Sequence, residues 1–161
     1  LIQRPRFLIA DEPVSMLDVS VRAEIIHMFQ RLCRTHNTAI LFISHDIAIV
    51  RYVSQRVAVM YLGRIVETGT VEQVFGHPAH PYSKALLQSV LYPDPQKRHQ
   101  PLQLSGEIPS PIDTPAGCPL HTRCPRATEK CKNTVQAFQD IGGGHLVACM
   151  EVSGGKQDEA I

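Results

Sequence analysis

Phe7-Leu8-Ile9-Ala10-Asp11-Glu12-Pro13 is the stretch on which the fold turns. Four apolar residues run directly into two adjacent acids, and a proline ends the run. Such a short apolar run reads as a buried strand. In an open parallel sheet, ligands bind beyond the carboxyl ends of the strands, which is the edge where Asp11 and Glu12 fall. Neighbouring side chains on an extended chain point opposite ways. The two acids can therefore take different tasks. One can reach a Mg²⁺ ion, and the other can orient and polarise an attacking water.

The sequence continues through Val14-Ser15-Met16-Leu17-Asp18 into a helical pattern over 19–34. Ile25, Ile26, Phe29, Leu32 and Cys33 share one helical face, with Arg22, Glu24, Gln30 and Arg31 opposite. Cys33 is expected as a small core residue. Ala39-Ile40-Leu41-Phe42-Ile43 reads as a second buried strand, and Ser44-His45-Asp46 follows it. His45 thus reaches the same edge as the acid pair. An imidazole there can donate a hydrogen bond to a γ-phosphate or to the water that attacks it. Residues 47–53 suit a short helix. Val57–Tyr61 and Arg64–Glu67 flank Leu62-Gly63 as a hairpin. Strand, helix, strand, helix, strand predicts a parallel sheet. Thr70-Val71-Glu72-Gln73 fits a capping box for a brief helix. Pro81 fits the start of another helix, with Ala85, Leu86 and Val90 on its apolar face.

Composition narrows the classes. Lys plus Arg number 16 and Asp plus Glu 15 in 161 residues, a net charge of +1. That balance speaks against a broad basic face for nucleic acid. Hydrophobic residues make up 43% of the chain, enough for a packed core. Apolar runs stop at about five or six residues, whereas a spanning helix needs about 20. No signal or transit peptide is visible. The first residue is Leu1, which suggests a piece of a longer protein. Only two of 12 prolines and two of ten glycines precede residue 76. Residues 1–75 are therefore expected as regular structure and 76–161 as a loop-rich module, with the last ten or so residues a disordered tail.

The second half carries Cys118, Cys124, Cys131 and Cys149, spaced C-x5-C-x6-C-x17-C among prolines and glycines. Two disulfides, a tetrahedral zinc site and a cubane iron–sulfur cluster each fit four cysteines. The usual C-x2-C zinc knuckle is absent, and spacing alone leaves zinc and iron–sulfur open. His121 and His145 are alternative or additional ligands.

Residues 8–69 resemble the second half of an ABC-transporter nucleotide-binding domain. Leu8-Ile9-Ala10-Asp11-Glu12-Pro13 is similar to its Walker B strand. Ser15-Met16-Leu17-Asp18 is similar to its D-loop, with Met16 where alanine is usual. Ser44-His45-Asp46 is similar to its switch-histidine loop. The resemblance implies a P-loop NTPase-like α/β fold with a parallel sheet, followed by a small cysteine module. It implies that Asp11 serves Mg²⁺, Glu12 is the catalytic base, His45 contacts the γ-phosphate of ATP, and Asp18 reaches across a dimer interface. No G-x-x-x-x-G-K-S/T and no L-S-G-G-Q is present; Leu104-Ser105-Gly106-Glu107 lies after the histidine loop and is a decoy. A fragment without those motifs is expected to bind ATP weakly and to be nearly inactive by itself.

His77-Pro78-Ala79-His80-Pro81-Tyr82 and the following Ala85-Leu86-Leu87 resemble the H-P-Y segment of the oligopeptide/dipeptide branch of ABC importers. Gly117-Cys118-Pro119-Leu120-His121-Thr122-Arg123-Cys124-Pro125 and His145-Leu146-Val147-Ala148-Cys149 resemble the C-terminal extension of that branch. In that branch the four cysteines are taken to hold a 4Fe–4S cluster, which here would be redox-sensitive. The implied role is the ATP-hydrolysing subunit that energises peptide import. A second ATPase subunit and membrane permease subunits would be its partners, with an extracytoplasmic binding protein engaged indirectly. Its place would be peripheral, on the cytoplasmic face of the membrane, without nucleic acid. Two rival readings are a non-transport ABC ATPase of DNA repair and a metal-binding interaction module with a decayed ATPase half.

Overall fold

The computed structural model describes residues 5–89 and 102–152. Val90 and the tail beyond 152, each given a role above, lie outside the described residues. The chain is mixed α/β and divides into two compact units, one ending at Ser54 and the other beginning at Gln55.

The first unit holds β1 (Phe7–Asp11), α1 (Val19–His36), β2 (Ala39–Ile43) and α2 (Ile47–Val53). β1 and β2 pair in parallel, Phe7 opposite Ala39 through Asp11 opposite Ile43. Both helices start on an aspartate. Asp18 accepts the Val21 N–H and Asp46 accepts the Ile49 N–H, filling donors that a helix start leaves open. α1 ends at Asn37 in the left-handed conformation, φ 51°, where asparagine is tolerated. Val14, Ile26 and Ile49 form the buried core, with Leu17, Ile25, Phe42 and Val53 against it. Phe29 meets Phe42 edge-on at 6.0 Å.

Two expectations for this unit are corrected. The strands are covered on one face only: Phe7, Ile9, Leu41 and Ile43 are 56%, 58%, 48% and 43% exposed. Strand side chains alternate between faces, and within this unit α1 and α2 supply cover for just one of them. Cys33 is exposed, because it follows Leu32 round the helix and turns off the apolar stripe.

The second unit holds β3 (Arg56–Tyr61), β4 (Arg64–Thr70), a π-helical segment (Glu72–Gly76), α3 (Pro81–Gln88), α4 (Glu129–Asn133), β5 (Gln139–Asp140) and β6 (Leu146–Val147). Strand order in its antiparallel sheet is β3-β4-β6-β5. β3 pairs with β4 across the expected hairpin, and among the described residues it has no parallel partner of the kind that strand–helix alternation suggested. Leu62 and Gly63 have φ of 45° and 74°, the double positive φ that a two-residue hairpin requires. So tight a link leaves antiparallel pairing as the only option. Thr70 and Gln73 form the reciprocal capping box: the Thr70 N–H donates to Gln73 Oε1 at 2.8 Å and the Gln73 N–H to Thr70 Oγ1 at 3.2 Å. α3 starts with Pro81 in its first turn and buries Leu87 beside a half-buried Leu86. Val59, Tyr61, Val66, Val74 and Leu120 make the core of this unit.

Candidate functional site

Glu12 and His45 meet. β1 delivers Glu12 and β2 delivers His45 one residue beyond Ser44, so parallel pairing in register brings them together. Glu12 Oε1 lies 2.8 Å from His45 Nδ1 and accepts the His45 backbone N–H at 3.0 Å. Which of Nδ1 and Oε1 carries the shared proton depends on the tautomer, and the contact leaves Nε2 for a further partner. The imidazole is 79% exposed. Glu12 has φ 46°, a conformation costly for a residue with a side chain. It is held there by its own N–H to Ile43 O at 2.9 Å, and Ser15 binds its carbonyl through N–H and Oγ. Strain maintained by such a frame is typical of functional positions.

Asp11 ends β1, exposed at the carboxyl edge of the pair. Asp18 is engaged locally: Oδ1 accepts the Val21 N–H at 3.0 Å and the Ser20 hydroxyl at 2.7 Å. Those bonds, the Val21 N–H foremost, hold its carboxyl below the usual range. The edge therefore presents two acids and one imidazole, with Glu12 and His45 bonded and Asp11 free to face solvent. Such a set can bind a hard cation, activate water and donate to an anionic oxygen.

Two residues here were not singled out from the sequence. Asp46 caps α2 and pairs with Arg22 Nη1 at 3.4 Å. Arg22 was assigned only to the polar face of α1. An aspartate just before an apolar helical run is a cap signal that could have flagged Asp46; nothing local flags its partner.

In the second unit, Cys118, Cys124, Cys131 and Cys149 line one small cavity with His80 and His121. All four are free thiols. Burial, the largest cause, pushes the thiols of Cys118, Cys124 and Cys149 up. Cys131 Sγ lies 3.3 Å from Thr128 Oγ1. The expected 4Fe–4S cluster is overturned. Among the described residues, no group of three or more His, Cys, Asp or Glu is placed to hold a metal ion. The zinc alternative finds no support on the same ground. His121 Nδ1 is taken by Cys118 O at 2.9 Å, and His145 is bound to Glu67.

That last contact was missed as well. Glu67 is fully buried, and its Oε1 lies 2.7 Å from His145 Nε2. Its oxygens also accept the Ala79 and His80 N–H groups, both at 2.9 Å. His80 caps α3, with Nδ1 accepting the Tyr82 N–H at 3.1 Å. The H-P-Y segment is thus a turn tied down by a carboxylate from β4.

Residues 66–131 match a protein family described as the oligopeptide/dipeptide transporter C-terminal region. The chain is 46% identical over 154 residues to the oligopeptide transport ATP-binding protein of Salmonella typhimurium, covering 94% of this chain and 46% of that protein. It is 44% identical over 154 residues to the oligopeptide transport ATP-binding protein of Escherichia coli, with the same coverage of both chains. It is 43% identical over 152 residues to the dipeptide transport ATP-binding protein of Haemophilus influenzae, again covering 94% and 46%. The chain therefore spans about half the length of the curated relatives it matches. Their names speak of ATP binding and of peptide transport.

Proposed function

We propose that the chain, which is similar over nearly its whole length to ATP-binding proteins of oligopeptide and dipeptide transport, is the C-terminal part of an ATP-hydrolysing subunit that drives peptide import. The observation that carries this reading is the Glu12–His45 pair at the carboxyl edge of a parallel strand pair. The parallel pair also supports a P-loop NTPase-like sheet in the intact protein. Residues 1–75 would complete the nucleotide-binding domain and 76–161 the extension particular to peptide transporters.

Each residue has a task in this reading. Glu12 is the base that orients and polarises the attacking water. Its bond to His45 fixes the imidazole, leaving Nε2 for the terminal phosphate, to which it donates when Nε2 carries a proton. Asp11, exposed at the strand end, would hold Mg²⁺, which neutralises phosphate charge. Asp18 would reach a second ATP-binding subunit, whose approach must compete with the Val21 and Ser20 bonds it now makes. Nucleotide would close two such domains, hydrolysis would reopen them, and permease subunits would convert the motion into passage. Peptide recognition would rest with the permease and an extracytoplasmic binding protein. No helix among the described residues is long and apolar enough to cross a membrane, which accords with a peripheral subunit on the cytoplasmic face. No nucleic acid is called for.

The test is ATP turnover by the intact protein assembled with its permease. Glu12→Gln is expected to cut turnover to a small residual rate and to leave nucleotide binding in place. Wild-type turnover in the Glu12→Gln protein would refute the assignment.

A further inference from the structure

Arg22 lies on α1, one turn after Asp18, and its guanidinium spans two loops. Nη2 donates to Leu17 O at 3.1 Å, in the turn that ends on Asp18. Nη1 lies 3.4 Å from Asp46 Oδ2, in the residue that follows His45. Asp46 is fixed from its other sides: Oδ1 caps α2 through the Ile49 N–H at 3.1 Å, and its own N–H donates to Ser44 Oγ at 3.1 Å. The Leu17 end is fixed too, since its side chain packs on the core of Val14, Ile26 and Ile49. Arg22 therefore joins two anchored points.

The third donor adds weight. Arg22 Nε is shielded from solvent and meets no acceptor among the described residues. An arginine kept only for surface charge would turn that donor to water. A buried donor without a partner is unfavourable and uncommon in native structures. It persists here with the other two nitrogens spent on Leu17 and Asp46. A planar, rigid fork suits this double attachment; a lysine, with one point of charge, does not reproduce it.

We propose that Arg22 is a positioning residue for hydrolysis, locking the loop that carries Asp18 to the loop that carries His45. This rests on the assignment of Glu12 and His45 to ATP turnover. Arg22 touches neither nucleotide nor the reacting atoms. Its effect passes through Asp46 to the His45 backbone, and so to the bond with Glu12. Loss of the lock leaves nucleotide binding unchanged and lets the Glu12–His45 geometry drift, so it lowers kcat with little change in KM.

The experiment uses the intact ATP-binding protein assembled with its partner subunits, with Arg22→Met, Arg22→Lys, Asp46→Asn and the Arg22→Met/Asp46→Asn double variant. Expected is a drop in kcat of about tenfold or more for Arg22→Met, with KM for ATP within about twofold. Arg22→Lys is expected to recover part of the rate. The double variant should cost no more than the worse single one, as for residues acting as a unit. Full kcat in both Arg22 variants, in a protein that Glu12→Gln silences, overturns the positioning role and leaves the ATPase assignment standing. A rise in KM at constant kcat overturns it likewise. If Arg22→Met does not fold, the Lys variant and Asp46→Asn decide by the same kcat criterion. Absence of Glu12-dependent turnover in the wild type removes the assignment and this inference together.

Discussion

Glu67 and His145 form a buried pair, 2.7 Å apart and 78 residues apart in sequence. Their side chains are 0% and 5% exposed. The same carboxylate accepts the Ala79 and His80 N–H groups, so one side chain joins β4, the H-P-Y turn and the loop before β6. Glu67→Ala strands three donors in the interior. The expected loss is on the order of 3–5 kcal/mol, since removing one member of a buried pair leaves the other uncompensated. Glu67→Gln keeps one acceptor oxygen and should lose less. Equilibrium denaturation of the chain checks both; a loss below about 1 kcal/mol for Glu67→Ala would contradict the account.

His80 gives a pH dependence. Burial holds its pKa at about 4 against an ordinary 6.5, with Glu67 pulling more weakly the other way. Between those values the unfolded chain binds the proton that the folded chain refuses. Stability is therefore complete above about pH 6.5 and falls as pH drops towards 4, by on the order of 3 kcal/mol. His80→Asn keeps a capping acceptor and removes the titration. Its unfolding midpoint should vary less between pH 7 and 5 than that of the wild type.

Gln73 is used at both ends of its amide. Oε1 accepts the Thr70 N–H, and Nε2 donates to the carbonyls of Gly142 and Gly143. Gln73→Ala should cost about 1–2 kcal/mol, as for a lost cap and an unpaired backbone group. Thr70→Ala, which removes half of the box, should cost less. Thermal melts of the two variants give the order.

Gly117 permits no side chain. Its φ is 70°, and a Cβ would collide with the backbone of Cys131 and Lys132. The close approach places the Cys118 N–H on Cys131 O at 2.8 Å. Gly117→Ala is expected to destabilise the second unit by on the order of 2–3 kcal/mol. Gly106→Ala also has positive φ but open space around it, and should cost less. Comparison of the two separates the clash from the conformation.

Glu12 and His45 should behave as one unit in the intact protein. His45→Ala is expected to lower ATP turnover by roughly a hundredfold, and the Glu12→Gln/His45→Ala double variant should fall no further than Glu12→Gln. Independent, multiplying losses would show that the 2.8 Å contact between them plays no part in turnover.

Much of this was legible in local sequence. The short apolar runs located β1 and β2, Leu62-Gly63 located the hairpin, and Thr70 with Gln73 located the capping box. Each is a signal carried within a few residues, where steric rules and short-range hydrogen bonds act. The pair Glu12 and His45 was also legible, because strand ends in a parallel pair share an edge. Apolar runs could not tell how many faces of β1 and β2 are covered, since both faces read alike in a run of Phe, Leu and Ile. Cysteine spacing could not tell whether four thiols converge with ligand geometry, which depends on the loops between them.

The amino-acid order by itself determined β1 to β4, the helices α1 to α3, the Leu62-Gly63 turn, the Thr70–Gln73 box, and the acids and imidazole at one strand edge, all through signals near in the chain. Only the tertiary structure decided that β4 also pairs with β6, that Glu67 is buried against His145, and that Arg22 ties two loops together. Those outcomes depend on which residues distant in sequence share a dry interior, where an unpaired charge or N–H is costly and each group must find its partner.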